Sequence, residues 1–365
     1  MTVGGRLTPL PPFPPGLLVQ RAQPPPFPLG EPRCRLYARA RHGLWEAMGA
    51  AGLGPGDTVL TPAFHHGSEI EAFHQAGLGC RFYEVTERFE PDPEELDQLL
   101  EPSVRALHLV HYLGFPQQSA SWRLWCDDRG LLLIEDAAQA WLARLEDTPV
   151  GCHGDVSVFC LYKTYGVPDG AALWTRAIDA TGPLPGRGGL GAVARRQASW
   201  LLQRSSGMSA LREAFEHRPA FSHAEDIALG DTRNGPSRAT VRLLPRLGGE
   251  AATKRRANYR WLMDRLGEHV PPPFRVLPAG ASPFVFPIET VEKDLVAERL
   301  RRHRIEALGF WTLPHPSLPE GFDRSAAARR RWLGLPVHQE LEEEDLRRIV
   351  DATCRSMGSS HETTR

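Results

Sequence analysis

The sequence predicts an α/β protein, with a three-layer α/β/α large domain built on a mainly parallel sheet and a small C-terminal α+β domain after it. Three observations carry this prediction. Helix-like and strand-like stretches alternate between about residues 40 and 161. The strands read as continuous apolar runs, as in Val104–Val110 and residues 131–135, which is the pattern of strands buried on both faces. After Ala251 the pattern changes to one long Arg-rich helix, a strand and further helices.

The elements follow in order. A helix over 40–51 precedes the turn Gly-Pro-Gly-Asp at 54–57 and a short strand at 58–60. A helix over 67–76 leads to strands near 80–85 and 104–110, a helix near 121–128, and strands at 131–135 and 155–161. These stretches fall in the large domain, residues 34–245. The small domain, 246–355, takes the helix 251–266, the strand 283–288, and helices near 291–303 and 341–354 that flank Leu335-Pro-Val-His-Gln339. Residues 176–240 are rich in Gly and Arg and receive no assignment. Residues 1–33 carry Pro-Pro-Phe-Pro-Pro at 11–15 and Pro-Pro-Pro-Phe-Pro at 24–28, which excludes interior helix and central strand. They are expected to be an extended arm, disordered or laid on a partner. The polar residues 356–365 are expected to be a frayed tail.

With 365 residues and a net charge of −1, the chain has no global field to recruit nucleic acid or an anionic membrane. Arg301-Arg-His-Arg304 and Arg329-Arg-Arg331 are read as solvated helix faces. No apolar run approaches the length of a membrane span, and no secretory apolar region opens the chain, so a cytoplasmic protein is expected. Six scattered cysteines form no C-x-x-C pair and are expected to be free thiols. His65-His66 and the pair His108/His111 lack zinc-site spacing, so no metal is expected.

The chemistry centres on a scarce residue. Lysine occurs three times, against 43 Lys plus Arg in total. Lys254 and Lys293 fall in charged helical stretches, whereas Lys163 follows a strand and precedes Gly-Val-Pro-Asp-Gly. An amine needed only for its charge would be arginine here; a lysine points to covalent chemistry with a carbonyl. Asp136 ends another buried strand, where open α/β sheets place ligands. It is either a helix cap or a carboxylate facing a protonated heteroaromatic nitrogen, as in pyridoxal phosphate enzymes. Ala40 and Arg41 open a helix that either offers backbone N–H groups to a phosphate or is an ordinary basic first turn. His66 is either a surface or packing residue or a side chain that stacks on a flat ring, and Cys160 lies beside the cofactor or in the core. Trp311 and His315 either line the acceptor side or simply pack the small domain.

The succession of residues 52–64, Ile134-Glu-Asp-Ala-Ala-Gln-Ala140, Gly154-Asp-Val-Ser-Val-Phe-Cys-Leu-Tyr-Lys163 and Leu335-Pro-Val-His-Gln339 resembles the DegT/StrS family, over about residues 35–350. These are pyridoxal-phosphate-dependent aminotransferases of the aspartate-aminotransferase fold, many acting on nucleotide-linked keto-sugars. The resemblance implies that Lys163 binds the cofactor covalently, Asp136 pairs with the pyridine nitrogen and Gln139 lies near the phenolic oxygen. It places Ala40, Arg41 and Cys160 at the phosphate and His66 on the ring. It also implies a homodimer with shared active sites, a polar residue from the partner's loop reaching the phosphate; Asn234 is the nearest match. The donor by family habit is glutamate. The lysine motif is two residues shorter than the family's commoner form, Cys160 replaces a serine, and Asp169-Gly-Ala171 replaces acid-Gly-Gly. Retained lysine argues against the dehydratase branch. Elimination or carbon–carbon bond formation on the same cofactor, and a homologue without turnover, are the alternatives.

Overall fold

The structure, a computed structural model, describes residues 5–184, 223–232 and 235–358, with isolated positions between 186 and 198. Its large sheet has seven strands in the order Cys34–Tyr37, Ala171–Thr175, Val156–Cys160, Leu132–Asp136, Val104–Val110, Thr58–Pro62, Gly79–Tyr83. The last five run parallel, and Ala171–Thr175 is antiparallel to both of its neighbours.

The continuous apolar runs have the expected cause. Side chains alternate across a strand, so a sheet covered on both sides needs apolar residues at every position. Val59, Ala106, Ile134 and Val158 pack with Leu44, Met48, Ile70 and Phe73 of the helices Ala40–Ala50 and Ser68–Gln75. Leu60, Leu107 and Leu133 face the other way, toward Trp122 and Trp125 of helix Ser119–Asp127. Three layers result, as the sequence predicts. Glycine brings one of them close: a Cβ at Gly43 would sit 3.1 Å from the Tyr37 ring.

A second, three-stranded antiparallel sheet is ordered Val285–Glu289, Trp332–Pro336, Leu308–Gly309. Helices Glu250–Leu266, Lys293–Arg302 and Glu343–Gly358 pack with it, and their buried apolar residues run continuously into one layer of the large sheet. Sequence reading does not mark helices His223–Ile227, Arg238–Leu243 and Asp323–Arg331, or strands Cys34–Tyr37, Ala171–Thr175 and Trp332–Pro336.

Three expectations are corrected. The described part of the proline-rich segment is neither disordered nor reserved for a partner. Leu7, Phe13 and Leu17 are buried within the chain. Leu7 accepts from Glu306 N–H (2.8 Å) and donates to Arg304 O (2.9 Å), and the Phe27 ring meets Phe159 and Trp174 edge-on. Proline excludes regular elements, not burial. The C-terminal helix reaches Gly358 with Ser356 buried, so the tail begins later than position 356; residues 359–365 lie outside the described set. Arg329 does not belong to a solvated face. It is buried, and its guanidinium donates to the carbonyls of His65, Trp311 and Ala63. Arg301 and Arg302 are exposed and pair with Glu298, as expected.

One tight turn links the two sheets. Leu113 and Gly114 have positive φ (55° and 88°), and their carbonyls accept from Phe284 N–H (2.8 Å) and Ser282 N–H (2.9 Å). A Cβ at Gly114 would run into the Ser282 carbonyl. Gly114→Ala is therefore expected to cost more than about 1 kcal/mol, read as a lowered urea midpoint at unchanged slope.

Candidate active site

Lys163 and Asp136 come together because their strands are neighbours. Leu132–Asp136 and Val156–Cys160 pair in parallel with Asp136 opposite Val158, and the helical turn Leu161–Thr164 carries Lys163 just past the strand end. The Lys163 ammonium lies 5.6 Å from the centre of the Phe284 ring. Burial disfavours its charged form, yet the fields of Cys160, Tyr162, Asp136 and Glu69 outweigh it, and the amine titrates above the ordinary lysine range.

Asp136 makes the cap that the sequence allows, and its second oxygen is left over from it. Its Oδ1 accepts from Ala138 N–H at 2.8 Å, which caps the following turn. Its Oδ2 faces His108 Nε2 at 3.6 Å, too far for a hydrogen bond, and that buried nitrogen has no partner among the described residues. The other His108 nitrogen bonds Thr61 Oγ1 at 2.9 Å. An acceptor with spare capacity and an orphaned ring nitrogen mark a place meant for a further polar group.

The neighbouring acid does the opposite job. Glu135 points to the other face of the sheet, is fully buried and accepts from His111 Nε2 (2.9 Å) and the N–H groups of Gly151, His153 and Gly154. Burial pushes its carboxyl up, but these donors hold it below the usual range.

Gln139 Oε1 accepts from Leu113 N–H at 2.9 Å, which holds its side chain beside the tight turn. Ala40 begins helix Ala40–Ala50, whose first N–H groups have no intrahelical i−4 partner and no side-chain cap. Arg41 is committed elsewhere: it donates to the carbonyls of Asp226 and Ala228, both at 2.6 Å. Arg39 instead lies over the Tyr162 ring, 5.1 Å from its centre, next to Lys163. Cys160 is buried at the strand end, with its Sγ 3.9 Å from the Tyr162 hydroxyl. His66 pairs with Asp226 (3.2 Å) and meets Trp311 edge-on at 6.1 Å. Trp311 also packs on Phe64 at 4.8 Å. His315 is buried farther along that segment, bonded to Glu71 and Ser317. Asn234 lies outside the described residues.

Sequence reasoning misses His108 in this role, together with Glu69, Phe284 and Arg255. Lys293 was set aside as lying in a charged helical stretch; it is buried too, but spends its ammonium on Thr312 Oγ1 (3.2 Å) and Arg329 O (2.5 Å). Arg255 is the most consequential omission. Its guanidinium reaches Gln339 Oε1 (2.9 Å) and the carbonyls of Pro283 (3.0 Å), Lys163 (3.1 Å) and Thr164 (2.9 Å).

The set fits pyridoxal phosphate. Asp136 Oδ2 suits the pyridinium nitrogen, Lys163 the carbonyl carbon, and the start of helix Ala40–Ala50 an anion. Fold and site together define a pyridoxal-phosphate-dependent enzyme of the aspartate-aminotransferase architecture. Residues 33–175 match the DegT/DnrJ/EryC1/StrS aminotransferase family. It is an aminotransferase, and pyridoxal phosphate is its cofactor.

The chain is 27% identical over 318 residues to a dTDP-4-dehydro-2,3,6-trideoxy-D-glucose 4-aminotransferase of Saccharopolyspora spinosa, covering 82% of this chain and 78% of that one. It is 31% identical to a GDP-perosamine synthase of Vibrio cholerae, but across only 34% of each chain. Among solved structures, DesV of S. venezuelae aligns at a TM-score of 0.64 with 24% identity, covering 88% of this chain and 84% of that one. This last likeness bears on the fold.

Two expected outcomes test the site's framework. Arg255→Leu takes the guanidinium donor from the buried carbonyls of Pro283 and Lys163 and from Gln339 Oε1, and leaves Thr164 O with Gln339 Nε2 alone, so a loss of about 3 kcal/mol or more is expected in urea unfolding. Glu69 is buried and accepts from His66 N–H at 2.9 Å. Burial raises its carboxyl, but His66, then His65 and His108, hold it down to about 2. A depressed pKa stabilises the fold above the unfolded value of about 4.3 and loses that contribution as the pH falls toward the folded value. Wild-type stability should therefore drop between about pH 4.5 and 3, and Glu69→Gln should flatten that slope in denaturant titrations at the two pH values.

Proposed function

We propose that the chain is a homodimeric, cytoplasmic enzyme that moves an amino group from L-glutamate to a nucleotide-linked keto-sugar. The observation that carries the proposal is that Lys163 and Asp136 stand at the ends of adjacent parallel strands, with the field of the Asp136 carboxylate acting on the Lys163 amine. The named acceptors of the relatives, dTDP- and GDP-linked sugars, support the acceptor class. Six free cysteines suit a reducing compartment, and among the described residues no helix is long and apolar enough to cross a membrane. In this reading a large domain over 34–245 and a small one over 246–355 flank the site.

Bound there, pyridoxal phosphate supplies the carbonyl that takes up the donor nitrogen and a ring that spreads negative charge from the donor α-carbon. Asp136 would hold a proton on the ring nitrogen. Lys163 would yield its place to the donor amine and then carry a proton between the α-carbon and the cofactor carbon beside it. His66 would cover the ring, and Gln139 would orient its oxygen substituent. The helix start at Ala40 would meet the phosphate, with Cys160 a weak partner and Arg41 acting through the segment it secures. Trp311, packed against Phe64 and His66, would form the wall toward the acceptor.

Incubation of the cofactor-loaded enzyme with L-glutamate should release about one 2-oxoglutarate per site, and a dTDP-linked 4-keto-sugar should then be aminated. Lys163→Ala should slow the glutamate half-reaction by about 10²-fold or more and abolish the borohydride-reducible linkage. If no amino donor yields its keto acid, transamination is refuted. A reducible linkage that survives in the variant would move the assignment away from Lys163.

A further inference from the structure

Glu71 and His74 lie one turn apart on helix Ser68–Gln75, at i and i+3, and so share a face. The segment after Trp311 brings His315 onto that face from 241 or more positions away in the chain. His315 Nε2 lies 3.2 Å from Glu71 Oε2, the His74 and His315 rings meet at 5.1 Å, and one ligand atom from each of the three lies within 4.8 Å of the others. We propose that Glu71, His74 and His315 form a binding site for a divalent transition-metal ion, zinc above all, that clamps the Trp311–His315 segment to the helix.

The donor set decides the class of ion. Two imidazoles and one carboxylate suit zinc and its neighbours, not calcium or magnesium, which take oxygen ligands. Tetrahedral zinc at about 2.0–2.1 Å holds its ligands about 3.3 Å apart, so modest side-chain rotation closes the observed spacing. The outer nitrogen of His315 is already engaged: Nδ1 lies 2.8 Å from Ser317 Oγ, which keeps Nε2 aimed at Glu71. Ser317 N–H also donates to Nδ1 at 3.2 Å; with an ion on Nε2 the proton would sit on Nδ1 and be given to Ser317 Oγ, the outward bond that metal-bound histidines make. His315 is buried, while Glu71 and His74 are half-buried, so an ion enters from solvent and ends against a fixed ligand. Zinc-site spacing is invisible in the sequence because two ligands come from one short helix and the third from a distant segment.

The consequence reaches the acceptor wall without touching the cofactor chemistry. Trp311 and His315 belong to one segment, and His315 N–H already bonds His65 Nε2 at 3.2 Å. An ion at His315 would fix this segment relative to His66, so it would set the order of the wall rather than the reaction.

The test uses the full chain, free of any purification tag, cofactor-loaded and stripped of metal by chelator. Titration with Co²⁺ followed by visible ligand-field absorption, and with Zn²⁺ by calorimetry, should show about one ion per chain. His74→Ala, which changes a half-exposed residue and leaves the packing intact, should weaken binding about tenfold or more. Glu71→Gln should do the same, and the zinc-induced rise in melting temperature should vanish in both variants. Cys152→Ser removes the alternative Cys152–His153 pair, whose Sγ and Nδ1 lie 3.6 Å apart, and should bind as wild type does. Absence of stoichiometric binding overturns the proposal. So does binding unchanged in His74→Ala and Glu71→Gln, or lost in Cys152→Ser.

Discussion

Lys163 sits on a turn that has little internal hydrogen bonding of its own, and a single buried guanidinium compensates. Four residues, Leu161–Thr164, make one helical turn, so the carbonyls of Lys163 and Thr164 have no helix to receive them. Arg255 supplies donors to both, and Gln339 adds a second bond to Thr164 O at 2.9 Å. Both donors come from around the small sheet, one from helix Glu250–Leu266 and one just past strand Trp332–Pro336. Burial costs Arg255 enough to pull its pKa to about 10, which leaves it cationic at neutral pH. The planar fork explains why arginine is used: five donors on one rigid group reach acceptors on three segments at once. Position of the amine, and with it the geometry of the site, follows from this contact.

A second constraint sorts the two adjacent acids at the end of strand Leu132–Asp136. In the sequence Glu135 and Asp136 are equivalent. Pleating separates them: one turns toward the Gly151–Gly154 backbone, where donors saturate it, and the other toward Ala138 N–H and His108, where one oxygen has no hydrogen bond among the described residues. A saturated carboxylate is a structural tie, and an unsaturated one keeps capacity for a further donor.

Much of the large sheet was legible in the sequence, since strands buried on both faces must be apolar at every position and strand 104–110 is found where that rule puts it. The place of Lys163 and Asp136 at strand ends was legible because a scarce residue type and a strand-end acid need no knowledge of distant contacts. What was hidden depends on long-range geometry. Arg329 looks like one member of a basic run until the carbonyls of Ala63, His65 and Trp311 are brought to it. Phe13 and Leu17 look like parts of a proline-rich arm until the chain folds its own strands beneath them. Local pattern reports what a residue is able to do; only packing reports which partner has claimed it.

The same reasoning sharpens the phosphate end of the site. Arg41 seems free for an anion in the sequence, yet two carbonyls of the 226–228 segment occupy it. Cys160 is a weak hydrogen-bonding group, so it adds little. What remains is the helix start itself, where unshared N–H groups and the aligned peptide dipoles offer about half a positive charge. Arg39, exposed at the cap position and laid over Tyr162, is the nearby cation not spent on the 226–228 segment. An anion held mainly by backbone amides depends on the direction of one helix, and that direction is set by the close approach of Gly43 to Tyr37 and Leu173. A phosphate taken at this helix start would therefore rest on packing between helix and sheet more than on the identity of any polar side chain.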